Sequence, residues 1–165
     1  MSDYNTIKIK KYADVVEEIL ATAVAIIPGM LLEQAATTGY VQAHSTAGGN
    51  AYPMFALEDE LQGKEITDAY AVSVPIQVWF PGRGDQVYAI LADGNEVEIG
   101  SFLESNGAGF LQLHAVDTAS SQEAFTSYTN QIVAVSLEHK DTSGASTTSS
   151  ESPIVLAKRL KVRIV

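Results

Sequence analysis

From Val74 to Leu113 apolar and polar positions alternate in short runs, each closed by a cluster of turn formers, and the pattern predicts four strands in succession. Val74–Phe80 (VPIQVWF) is an apolar, branched and aromatic run. Pro81-Gly82-Arg83-Gly84-Asp85 follows as a turn, and Gln86–Leu91 begins a second run, so the two runs are expected to pair as a hairpin. Asp93-Gly94 tolerates the positive φ of a tight turn and leads into the alternating Glu96–Ile99. Gly100 and Ser105–Gly109 bracket Ser101–Glu104. Gly109–Val116 (GFLQLHAV) then closes the meander, with Phe110, Gln112 and His114 on one face and Leu111, Leu113 and Ala115 on the other.

The flanking chain reads less uniformly. Thr6–Tyr12 sets Ile7 and Ile9 against Lys8 and Lys10, as a half-buried strand or an extended arm does. In Asp14–Ile27, Val15, Val16, Ile19, Leu20 and Val24 recur at helical spacing, whereas Ala23–Ile27 is β-rich and Pro28-Gly29 stops any helix; one or two helical turns followed by a strand are expected. Met30–Glu33 and Tyr40–His44 flank Thr37-Thr38-Gly39 as another hairpin. After the Ser45–Asn50 loop, Tyr52–Leu57 is a buried strand ending at Glu58-Asp59-Glu60, and Glu58–Tyr70 is a loop or short helix. Ser120 and Glu123 form a weak capping box within the Ser- and Thr-rich Asp117–Asn130. Gln131–Glu138 is a strand and Asp141–Ser152 a low-complexity loop. Pro153–Val165 sets Leu160, Val162 and Ile164 opposite Lys161 and Arg163, and is expected to return as the partner of Gln131–Glu138. Roughly ten short strands with minor α content define an all-β fold, a small antiparallel β-barrel or sandwich. It is organised as an extended N-terminal arm (1–12) and a single β-rich domain (13–165) that ends in a C-terminal β-hairpin.

Composition narrows the classes. The 165 residues are 46% hydrophobic and 18% charged, enough for one domain with a real core. With no cysteine, disulfides, thiolate metal sites and a thiol nucleophile are excluded. The N-terminus shows no signal pattern, and no apolar run approaches the roughly 20 residues of a membrane helix, so no membrane partner is expected. The net charge of −10 is unevenly spread. Seven of the ten basic residues lie at the ends, and from Ala13 to Ala157 three basic residues face nineteen acids, 3 − 19 = −16. Such a body repels nucleic acid, while basic termini suit an acidic protein surface; lysines on solvated edge strands that discourage edge pairing account for the ends equally well.

No catalytic or cofactor pattern emerges. His44, His114 and His139 stand singly, without metal-ligand spacing, and Glu58-Asp59-Glu60 lacks the alternation and glycine of a calcium loop. There is no G-x-S-x-G, and Gly82-Arg83-Gly84-Asp85 lacks the lysine of a P-loop and fits a plain turn. Trp79 and Phe80 are expected in the core or at an interface; with Arg83 they form a candidate inter-subunit contact. No enzyme activity, cofactor or metal is expected.

Four pieces in order carry a resemblance: Pro28–Glu33 (PGMLLE), Tyr52–Asp59 (YPMFALED), Gly63 with Ile66–Tyr70 (ITDAY), and Gly84–Leu91 (GDQVYAIL). Over about Ile27 to Val116 the chain resembles the head decoration, or capsid cement, proteins of tailed phages. The resemblance implies a small β-tulip-like domain, often a homotrimer and not an enzyme. Such a domain sits on the outer surface of the virion capsid at junctions of the major capsid protein and resists internal DNA pressure. The chain departs from the smallest members in its longer N-terminal segment and its added Thr126–Val165 region. On this reading the capsid contacts are Ile7, Lys8, Ile9, Lys10 and Lys11 of the arm and Lys158, Arg159, Lys161 and Arg163 of the C-terminal strand. Loss of residues 1–12 is then expected to abolish head binding and leave the domain folded. Two other classes stay open: a tail-tube or baseplate subunit, and a carbohydrate-binding or hydrolytic module with Trp79, Tyr88 or Tyr40 in a groove with acids.

Overall fold

The computed structural model describes residues 4–12, 14–22, 25–115, 128–143 and 156–165. A six-stranded sheet is built from β1 (Lys8–Lys10), β7 (Gln86–Ile90), β13 (Arg159–Ile164), β11 (Ala134–Ser136), β9 (Phe102–Ser105) and β10 (Leu111–Leu113), in that spatial order. A five-stranded sheet runs β3 (Leu32–Gln34), β4 (Tyr40–Ala43), β2 (Val16–Ala21), β6 (Pro75–Trp79) and β5 (Phe55–Ala56). The short strands β8 (Glu96–Val97) and β12 (Lys140–Asp141) form a separate ribbon. Among the described residues, all strand pairs are antiparallel except β2 with β4, and the isolated bridge between Leu91 and Leu111 is also parallel. The architecture is a small all-β sandwich, and among the described residues its sheets do not close into a barrel.

The core joins both sheets. Val87, Ala89, Leu103, Leu160 and Val162 of the six-stranded sheet pack in one apolar cluster with Phe55 and Trp79 of the other. Val41, Met54, Ala56, Ile76 and Val78 form a second cluster with Ile90. Neighbours along β5 and β6 therefore enter different clusters, so both faces of these strands are covered. That is why Val74–Phe80 is mostly apolar, interrupted only by half-buried Gln77, rather than strictly alternating. Each fully buried large side chain contributes about 1.5–3 kcal/mol.

Two predicted hairpins form as expected: β3 with β4 around Gly39 at φ 83°, and β9 with β10. The C-terminal strand also pairs with the Gln131–Glu138 segment, Val135 lying opposite Arg163. The linker between them departs from a plain hairpin loop, since β12 crosses to β8, with Lys140 opposite Val97. The capping box at Ser120 and Glu123, most of the Asp141–Ser152 loop and the start of Pro153–Val165 lie outside the described residues.

Three expectations are corrected. The first is the meander, because β6 and β7 do not pair. The Gly82–Asp85 turn sends the chain from one sheet to the other, and it is pinned by buried Asp85, whose carboxylate accepts from the backbone N–H of Gly82 (2.8 Å) and of Tyr12 (2.5 Å). Second, Val16–Ala21 is a strand, not a helix. Its backbone pairs with β6 over five residues while Val16 and Leu20 stay partly exposed, so the helical spacing of its apolar residues does not mark a buried face. Third, of the two readings of Thr6–Tyr12 the half-buried strand holds and the free arm does not. Ile7 is fully buried, its carbonyl accepts from the Tyr88 N–H (2.9 Å), its own N–H donates to the Glu58 carboxylate, and Lys8 and Lys10 pair with β7.

Candidate interaction surface

Cross-strand partners share a face of a sheet, so register alone assembles a surface from distant residues. Lys10 lies opposite Gln86, Gln86 opposite Arg163, Arg163 opposite Val135, and Val135 opposite Phe102. This row crosses five strands on the solvent face of the six-stranded sheet. Lys10 and Arg163 are exposed, and Phe102 exposes 52% of its surface. One step along, Lys161 is paired with Tyr88. The Lys161 ammonium lies 5.7 Å from the Tyr4 ring centroid, and the Tyr4 ring meets Tyr88 edge-on at 5.3 Å. Basic residues far apart in sequence thus share one face, because β7 separates β1 from β13 and pairs with both.

The charges on this face are unequally available. Asp14 takes up Lys8 at 3.3 Å and Lys11 at closer range, and the hydrogen bond from Lys11, against an opposing desolvation and with Lys8 behind it, holds its carboxyl below the ordinary carboxylate range. Lys158 pairs with Asp93 at 2.5 Å. Among the described residues, Lys10, Lys161 and Arg163 have no carboxylate within ion-pair distance. The open positive charge is therefore exposed Lys10 and Arg163, the latter opposite Val135, while half-buried Lys161 donates to the Tyr4 hydroxyl at 3.4 Å.

Other expected contact residues lie elsewhere. Ile7 belongs to the core. Ile9 is half-buried and packs against that core. Arg159, 1% exposed, is an internal tie: its guanidinium donates to the carbonyls of Pro28 (2.7 Å) and Ile66 (2.6 Å), so it is not a contact residue. Desolvation pulls its pKa down to about 10 against the raising influence of Tyr88 and Glu58. Trp79 is fully buried within the chain and offers nothing to a second subunit; half-buried Phe80 and exposed Arg83 retain surface. The buried Trp79 and Tyr88 also cannot line a sugar-binding groove, and Glu58 of the acidic cluster is buried rather than solvated.

Each histidine meets glutamate. His114 Nδ1 lies 2.5 Å from Glu104, His44 Nε2 lies 3.7 Å from Glu33, and His139 Nε2 lies 3.6 Å from both Glu96 and Glu98. The last three have ligand atoms within 4.8 Å of one another, but all three side chains are exposed, and that makes them a solvated face rather than a preorganised metal centre. Sequence reasoning found the lysines and arginines but missed Tyr4, Val135 and Phe102. Their signal is register, which no local pattern encodes.

No family model matches the chain, and no curated protein matches it.

Proposed function

We propose that this chain is a virion structural protein: a decoration, or cement, protein that binds the outside of a tailed-phage head at junctions of the major capsid protein and stabilises it against internal DNA pressure. The observation that carries this reading is that Lys10, Lys161 and Arg163 lie on one face of the six-stranded sheet, in a row that ends at exposed Phe102, on a body otherwise strongly acidic. A mixed basic and apolar face suits an acidic protein surface; the acidic remainder keeps the domain off the packaged DNA. The order of motifs from Pro28 to Leu91, which resembles the decoration proteins, supports the same reading. The resemblance also implies a homotrimer, with Phe80 and Arg83 as candidate contacts.

The test is co-sedimentation with empty expanded heads of the phage that encodes the protein. Charge reversal at two exposed positions, Lys10→Glu with Arg163→Glu, leaves the fold intact and lowers head affinity about tenfold or more. Undiminished occupancy by the double variant contradicts the assigned face. Absence of binding by the unaltered protein contradicts the function.

A further inference from the structure

A second surface feature lies on the five-stranded sheet. A cavity of about 400 Å³, in the lower part of the size range of small-molecule sites, opens beside the end of β3. Leu32 and Met54, both buried, form apolar wall, and Glu33, Gln34, His44, Asn50, Tyr52 and Phe80 complete the lining. Tyr52 exposes 66% of its surface, and its ring lies 6.2 Å from that of Phe80 at a tilt of 47°. The two rings form a slanted wall and do not enclose a cage.

The polar side of the cavity is short of donors. His44 is 1% exposed, and its Nε2 lies 3.0 Å from the Asn50 carbonyl oxygen. A carbonyl only accepts, so Nε2 carries a proton; in the neutral ring Nδ1 is then a lone-pair acceptor. That Nδ1 is buried and has no partner among the described residues. Glu33 is oriented by donors to one oxygen: Gln42 Nε2 at 2.8 Å, Ser45 Oγ at 2.6 Å and Ser45 N–H at 3.2 Å all reach Oε1. Desolvation works against the charge, but these hydrogen bonds outweigh it and hold the carboxyl below its ordinary range. Oε2, 3.7 Å from His44 Nε2, remains an ionised acceptor.

We propose that this cavity is a saccharide-binding site, taking a neutral sugar ring. A pyranose suits this lining: it offers a C–H face to lie on the exposed Tyr52 ring, and adjacent hydroxyls that donate to Glu33 Oε2 while accepting from the amides of Gln34 and Asn50. A quaternary ammonium fits less well. It stacks on the rings and faces the carboxylate, but it has no hydroxyl for the amides of Gln34 and Asn50, and rings tilted side by side do not surround it. Glu33 is the one carboxylate among the described lining residues, which suits binding rather than two-carboxylate glycoside cleavage.

The test titrates the full-length ¹⁵N-labelled protein separately with methyl glycosides of glucose, galactose, mannose and N-acetylglucosamine, and with tetramethylammonium as a cation probe. At least one glycoside is expected to shift the amide signals of Gln34, Ser45, Asn50 and Tyr52 saturably, in the millimolar range usual for so small a ligand. Tyr52→Ala, at an exposed position, keeps the melting temperature and weakens that glycoside about tenfold or more. Glu33→Gln weakens it too if the variant folds. The proposal is overturned if no glycoside gives a saturable shift, if the shift survives Tyr52→Ala unchanged, or if only tetramethylammonium binds. Head binding is measured on the other sheet, so either result leaves the decoration reading to its own test.

Discussion

At the scale of single residues, the most consequential group is Arg159. It falls on the charged side of the alternating Lys158–Val165 run, and nothing local distinguishes it from Lys161 and Arg163. Only the fold lays the carbonyls of Pro28 and Ile66 over it, and Gly29, at φ 89°, permits the approach, since a Cβ there would strike the guanidinium. Arg159→Lys keeps the charge but loses the fork that reaches two carbonyls, and is expected to destabilise the fold by about 2–4 kcal/mol in urea titrations; a loss below about 0.5 kcal/mol contradicts the role. Tyr70 supplies a pH signature. Burial pushes its phenol up to about 12, opposed by hydrogen bonding and aided by nearby carboxylates including Asp59. An exposed phenol ionises near 10, so between about 10 and 12 the folded state holds more protons than the unfolded state, and this stabilisation falls as pH rises. Arg159 works oppositely in that window, because its folded pKa is depressed. Comparison with Tyr70→Phe isolates the phenol. The advantage of the unaltered protein over the variant is constant below pH 10 and shrinks as pH climbs from there towards 12, measured by urea denaturation; an advantage that grows over that range contradicts the assignment.

At the scale of elements, the edge strand β1 decides how the N-terminus is understood. Its alternation of isoleucine and lysine fits an arm and a strand equally. The buried Ile7, held by Glu58 and Tyr88, makes it part of the domain. Ile7→Ala is therefore expected to cost roughly 2–5 kcal/mol, and removal of residues 1–12 to destabilise the free protein instead of merely detaching it from heads. Chemical denaturation of the two variants checks this; unchanged midpoints contradict it. The elements legible in the sequence were those specified locally. The hairpins β3–β4 and β9–β10 have turn chemistry and alternation within a few residues of each other. The failed pairing of β6 with β7 shows the limit, for a turn sequence fixes that the chain reverses but not which sheet it enters. The strand β2 was hidden because Val15, Val16, Ile19 and Leu20 mimic helical spacing while much of that surface stays exposed. The saccharide cavity was not legible at all, since Glu33, His44, Tyr52 and Phe80 come from separate strands and loops.

At the scale of the whole molecule, charge is segregated over the surface as well as along the chain. A basic and apolar face on an acidic body is an electrostatic steering device, and its reach falls to about 8 Å at physiological ionic strength. Head occupancy at fixed protein concentration is expected to decline as salt rises. Many copies bound across subunit junctions would raise the barrier to opening the shell, which is the property that matters to a head under pressure. The most direct measurement is the temperature at which DNA-filled heads lacking the protein release their genome, followed with a DNA-binding dye before and after saturation with purified protein. Release is predicted to move to higher temperature with the unaltered protein and to move less with the Lys10→Glu, Arg163→Glu variant at the same, just-saturating concentration; an identical release temperature with and without saturating unaltered protein would contradict the account.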